Sequence, residues 1–234
     1  MGYEYRKIRR NIWQIKEEEG VYCTFIQGSE LAILFDTGMG NQDIRAFVEQ
    51  HCKTPYLVFN SHGHLDRCLG NRQFDKVYMG VEEVEVMKHY LSLVGEEDPS
   101  YEIETVTDGQ IFDLGDIQVQ VVNLEGHTKG SIGLLVKQEQ LLVSGDAINK
   151  RMWLVHYGTL GVLAFQAMLK RIEGLAFKSI LSGRSNKEMS TKIIQAHLSN
   201  IEHLKKNRKI GVNQFESVFK GKEESSIIIY EERA

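Results

Sequence analysis

Two imidazoles and a carboxylate lie within five residues of the chain, in Asn60-Ser-His62-Gly-His64-Leu-Asp66-Arg67-Cys68-Leu-Gly70. Neutral imidazole and carboxylate are ligands that zinc accepts, and iron and manganese tolerate both. The apolar run Tyr56–Phe59 just before them reads as a short buried strand, so the three groups fall on the loop where it ends. Alternate positions of an extended loop point the same way, which places His62 and His64 together, and Asp66 follows as the chain curls into a helix. Two further candidates lie downstream. His127 sits in the turn Gly126-His-Thr-Lys-Gly-Ser131 before a strand at 132–136, and Asp146 ends a strand at 141–143. Upstream, Asp36 closes the apolar run Leu31–Phe35 in an Asp-Thr-Gly turn and is read as holding the metal loop.

Taken in this order, the Asp-Thr-Gly turn, the His-x-His-x-Asp motif, the Gly-His-Thr turn and the Ser-Gly-Asp strand end resemble the metallo-β-lactamase superfamily over most of the chain. The resemblance implies an α/β fold, the four-layer αββα sandwich. It also implies one metal held by His62, His64 and His127, with Asp146 often bridging to a second metal that Asp66 helps to hold. The two histidines that complete the second site in the superfamily are missing here: Arg67 follows Asp66, and the late turn reads Leu181-Ser-Gly-Arg184-Ser. A guanidinium stays protonated and offers donors only, so it repels a dication rather than ligating one. One tight site is therefore expected, filled by zinc, with iron or manganese as alternatives. Zinc on three histidines lowers the pKa of bound water to about 7 and so supplies hydroxide at neutral pH.

The expected activity is hydrolysis of an ester, thioester, lactone, lactam or phosphodiester. Asp66 would orient or deprotonate the water, and Arg67 or Arg184 would stabilise an oxyanion or an anionic leaving group. Arg67 is tied to the metal loop and expected to pair with a carboxylate of the site. Arg184, on a late loop, is expected to be freer to meet an anionic small-molecule substrate. Two alternatives stand beside this reading: a mononuclear iron oxygenase of the persulfide-dioxygenase type, and a non-catalytic relative that binds a small anion. Trp153 and His156, just past Asp146, are expected at the cleft mouth, whereas Cys68 and His89 read as structural.

Composition bounds the rest. The 234 residues, 42% hydrophobic and 26% charged, suit one domain over 1–234, in two similar halves of about 1–115 and 116–234. A net charge of −4 gives no case for nucleic acid, no apolar run suggests a membrane, and three scattered cysteines suit a reducing, cytoplasmic setting.

The elements that must position the candidates follow from periodicity. Strands are expected at 8–15, 21–26, 31–35, 76–79, 118–122, 177–181 and 226–230, the last as an edge strand. Helices are expected from a cap at Asn41, over 81–94, 159–173 and 189–206. Glu17–Glu19 reads as a solvated turn, and the basic run 205–209 as the favourable cationic end of the last helix.

Overall fold

The computed structural model describes residues 2–96, 99–206, 217–220 and 225–230. One sheet holds seven strands in chain order: β1 (Glu4–Arg9), β2 (Ile12–Glu18), β3 (Val21–Gln27), β4 (Ala32–Phe35), β5 (Tyr56–Phe59), β6 (Lys76–Gly80) and β7 (Glu102–Val106). It is antiparallel as far as β4 and parallel from there on. A second sheet is built from β8 (Ile111–Asp113), β9 (Gln118–Asn123), β10 (Ile132–Val136), β11 (Leu141–Gly145), β13 (Ser179–Ser182) and β14 (Met189–Ser190). A small third sheet sets β16 (Ser225–Tyr230) between β12 (Arg151–Leu154) and β15 (Ser217–Lys220).

Strand alternation sorts the apolar residues into layers. Ile33 and Phe35 of β4 meet Leu141 and Val143 of β11 and Leu134 of β10 in a core between the two large sheets. Ala32 and Leu34 of β4 face outward onto α1 (Ile44–His51), the short α2 (Leu65–Cys68) and α3 (Glu83–Ser92), where Ile44, Val48, Cys68, Met87 and Leu91 cover them. Leu142 and Leu135 face the other way, onto Phe165, Leu169, Ile193 and Ile201 of α4 (Gly161–Ile172) and α5 (Lys192–Lys206). Strands covered on both faces need continuous apolar runs rather than alternation, which is why Ala32–Phe35 and Ile132–Val136 are apolar almost throughout. The architecture is the αββα sandwich.

Several boundaries differ from expectation for local reasons. The run 8–15 splits into β1 and β2 at a turn over Arg10 and Asn11. Asp43, not Asn41, caps α1, its carboxylate accepting from the Ala46 amide at 2.8 Å. The expected helix 189–206 begins as β14, and the Lys192 amide donating to Ser190 Oγ marks the true start. β16 is central in its sheet rather than an edge, because β12 pairs with it in parallel. Of the basic run, Lys205 and Lys206 close α5, and 207–209 lie outside the described residues.

On α5, His197 is buried against Phe165, with Nε2 donating to the Asn149 carbonyl at 2.7 Å. Burial pushes its pKa down to about 4. A histidine with a depressed folded pKa leaves stability intact above the unfolded value of about 6.5, and stability falls as pH drops from there towards 4. The loss expected from His197 is about 3 kcal/mol. His197→Gln removes the titration, so parent and variant should show different slopes of melting temperature against pH over that window. Equal slopes would mean that the group does not titrate as its burial demands.

Candidate metal centre

β4 and β5 run side by side and end together, and the loops beyond them carry the site. Asp36 follows β4 with φ at +69°, a left-handed conformation that aspartate tolerates better than most residues. There its carboxylate accepts the Ser61 amide at 2.7 Å and the Ser61 hydroxyl at 3.0 Å. Since that hydroxyl donates to Asp36, it accepts from His62 Nδ1 at 2.9 Å. His62 is thereby held as the tautomer whose Nε2 carries a lone pair. His127 reaches the same state through Nδ1 donating to the Trp153 carbonyl at 2.6 Å. His64 bonds with the backbone of Tyr157, again leaving Nε2 free.

The three rings lie 4.5, 4.8 and 4.9 Å apart between centroids. Burial drives the pKa of each downward, so all three are neutral. All three Nε2 atoms are buried without a hydrogen-bond partner among the described residues, and they cluster within 4.8 Å of one another. Buried polar atoms normally find partners, and three converging lone pairs are what a cation satisfies. The residues present fit a metal.

Asp146, at the end of β11, lies beside this group, with Oδ2 at 3.8 Å from His62 Nε2 and 4.0 Å from His127 Nε2. Its other neighbours are guanidinium groups. Arg67 Nη2 sits 2.9 Å from Oδ1, a close ion pair whose angle is not that of an aligned hydrogen bond. Arg184 reaches Oδ2 through Nε at 2.8 Å and Nη2 at 2.5 Å. Burial alone would raise the Asp146 pKa, but Arg67 and Arg184 outweigh it and hold the carboxylate well below its usual range. Asp66 joins the same network, 2.6 Å from Arg184 and 3.5 Å from Arg67. Arg184 is thus not the free, ligand-facing arginine expected from its late loop. Its Nε and Nη2 are engaged by carboxylates and its Nη1 by the Gly20 carbonyl at 3.2 Å, which leaves it little donor capacity for a bidentate contact.

A cleft of about 320 Å³ opens onto the centre, lined by His127, Asp146, Asn149, Trp153, His156 and Arg184. Trp153 and His156 stack at 6.0 Å, and His156 stands 5.4 Å from the His64 ring. A larger open groove of about 620 Å³ lies at the opposite ends of β5 and β6, away from every candidate ligand. Cys68 is buried and unpaired, and His89 stacks on Tyr157 at 3.8 Å.

Sequence reasoning missed the residues that brace the centre. Glu83, fully buried at the start of α3, accepts the Gly63 amide on one oxygen and the Gly130 amide on the other, each at 2.7 Å, with Thr128 as a further partner. It clasps the loop of His62 and His64 to the loop of His127. Gly63 is required there, because a Cβ would come within 2.4 Å of the Met87 amide. Glu17, expected in solvent, instead accepts the Met39 and Asn41 amides at 2.6 and 2.9 Å. Gln14 is buried in β2 and donates to the Ser182 and Ser185 carbonyls, fixing the Arg184 loop. A glutamine set between Trp13 and Ile15 was the one signal available. Glu83→Ala is expected to lower stability by about 3 kcal/mol, two buried amides losing their acceptor. Metal affinity should fall on the order of tenfold or more as the loops part. Chemical unfolding and metal titration would read both, and an unchanged affinity would show that the clasp does not position the ligands.

Two packed sheets thus bring a buried group of three histidines, able to hold a metal, to their strand ends. A family model described as metallo-beta-lactamase superfamily matches residues 17–172, and the chain belongs to that superfamily. It is 27% identical over 174 residues to the acyl-coenzyme A thioesterase MBLAC2 of Homo sapiens, an alignment covering 60% of this chain and 58% of that protein. The chain therefore matches little more than half the length of that relative. With hydroxyacylglutathione hydrolase of Brucella ovis it shares 28% identity over 109 residues, 45% of this chain and 38% of that one. Among solved structures, a metallo-beta-lactamase from Pontibacter korlensis superposes with a TM-score of 0.66 at 18% identity, covering 86% of this chain and 99% of that chain. The DIM-1 metallo-beta-lactamase does so with 0.67 at 16%, covering 87% and 98%. These two likenesses concern the fold. No helix among the described residues is long and apolar enough to cross a membrane.

Proposed function

We propose that the chain is a metal-dependent hydrolase of thioesters. The observation that carries the metal is the set of three buried, unpartnered Nε2 atoms of His62, His64 and His127, opening onto a cleft. A metal bound there supplies Lewis acidity, polarising a carbonyl and making water acidic enough to attack at neutral pH. Zinc suits three imidazoles best, with iron or manganese as the alternatives. The rest is the work of this chain's own groups. Asp66, with a partly exposed side chain held by Arg184, accepts a hydrogen bond from the attacking water and takes its proton. Arg184, the more exposed of the two arginines, lends its fixed positive charge to the side of the cleft where an oxygen gains charge. Trp153 and His156 wall the cleft.

Thioesters are favoured over the other acyl compounds on two grounds. Relatives named for acyl-coenzyme A and hydroxyacylglutathione hydrolysis both act on thioesters by name. A thiolate, with a conjugate-acid pKa of about 8.5, also leaves without a strong acid or a second cation to hold it. The test is a panel of acyl-coenzyme A and acyl-glutathione thioesters beside their oxygen-ester counterparts, with zinc-loaded protein. Thioesters should lead in kcat/KM by at least about tenfold, on the order of 1.4 kcal/mol of transition-state preference. Preference for oxygen esters or phosphodiesters would overturn the substrate class, and inactivity of the metal-loaded chain on all of them would overturn the hydrolase.

A further inference from the structure

The donor atoms of His62, Asp66 and Asp146 lie within 4.8 Å of one another, a second grouping whose spacing alone would hold a cation beside the three histidines. Its carboxylates are already served. Asp146 has Arg67 on one oxygen and Arg184 on the other, and Asp66 has Arg184 at 2.6 Å. We infer that Arg67 and Arg184 take the place of a second metal ion, so that the chain holds one metal and a fixed pair of guanidinium cations.

Charge and anchoring both support this. Two carboxylates and two guanidiniums cancel, and the imidazoles are neutral, so one dication leaves the centre at +2. Two dications with two carboxylates and no arginine would carry the same +2, whereas a second dication added to the present residues would raise the centre to +4. Buried like charges on that scale oppose binding strongly. Nor do the arginines withdraw easily. Arg67 is fully buried, with Nη1 on the Tyr22 carbonyl and Nη2 on the Gly20 carbonyl, each at 3.3 Å. Arg184 donates to the same Gly20 carbonyl, so the β2–β3 turn braces both side chains. Gly183 adds to the seat: a Cβ there would lie 2.9 Å from Arg67 Nη1 and 3.1 Å from Asp146 Oδ1 and would press on the pair.

The inference rests on the three-histidine metal centre proposed above, and metal counting separates the two. Metal-free full-length protein is loaded with excess zinc, dialysed, and its zinc measured by elemental analysis, with titration calorimetry alongside. The parent should retain one equivalent. Two retained equivalents would overturn the inference and leave the hydrolase reading standing, whereas none would overturn the three-histidine site itself. Arg67→His with Arg184→His removes two cations and adds two neutral ligands, and it should gain a second equivalent at least tenfold tighter than any in the parent. A folded double variant with no gain would overturn the inference. Because Arg67 is buried and the double variant is at risk of misfolding, Asp66→Asn supplies an independent reading. A carboxylate committed to arginines gives no zinc to lose, so the variant should still retain one equivalent. A fall below one equivalent would show that Asp66 ligates the metal.

Discussion

His127→Ala is expected to strip the chain of its tightly held metal and to lower kcat/KM for a thioester by about three orders of magnitude or more, on the order of 4 kcal/mol of lost transition-state stabilisation. The size follows from how little redundancy the centre has. His62 and His64 come from one loop, and His127 alone brings the second half of the molecule to the group. Its ring is locked by the Trp153 carbonyl, so Nε2 is aimed before any metal arrives. His156 is the control. It stands 6.4 Å from the His127 ring and lines the cleft, yet it lies outside the histidine cluster. His156→Ala should keep the metal and lose activity by a smaller factor. Elemental analysis of both variants, with rates measured beside the parent, decides the matter. His127→Ala with full metal and full rate would remove the three-histidine centre from the argument.

The histidine cluster was legible because its information is local. His62 and His64 are separated by one residue just after an apolar run, and His127 and Asp146 each adjoin a strand, so strand ends were enough to suggest that they meet. The layers were legible for a similar reason, since runs such as Ala32–Phe35 demand cover on both faces. What could not be read is whatever depends on contacts far apart in the chain with ordinary residue types. Glu83 looks like any acid in a first helical turn, and only the fold places it between Gly63 and Gly130. Glu17 belongs to an acidic run that reads as solvated until the turn after Asp36 folds against it. β12 is four residues long with Arg151 and Trp153 exposed, and its existence depends on β16, where Arg151 pairs with Ile227, 76 positions on. Arg184 was misjudged for the same reason. Its loop suggested freedom, while the carboxylates that hold it come from two other loops.

Asp146→Ala should be the most destabilising single change at the centre, by about 3–5 kcal/mol in metal-free protein. Arg67 is fully buried, and with Asp146 gone its nearest anion is Asp66 at 3.5 Å, supplemented by two carbonyls at 3.3 Å. The cost is that of a buried cation left short of counter-charge, rather than the net worth of the pair. Replacing both partners should therefore cost less than the sum of the single changes: Asp146→Ala with Arg67→Met leaves neither charge behind. A double-mutant cycle by urea unfolding should show a coupling energy of roughly 1–3 kcal/mol. The pH dependence gives a second reading. Because the arginines hold the folded pKa of Asp146 below its unfolded value of about 3.9, its contribution is fully present above that pH and lost as pH falls below it. The stability gap between parent and Asp146→Ala should accordingly be constant near neutrality and close on acidification below pH of about 4. A variant within 1 kcal/mol of the parent at pH 7 would mean that Arg67 is not held by Asp146 in solution, and the charge balance assigned to the two arginines would fall with it.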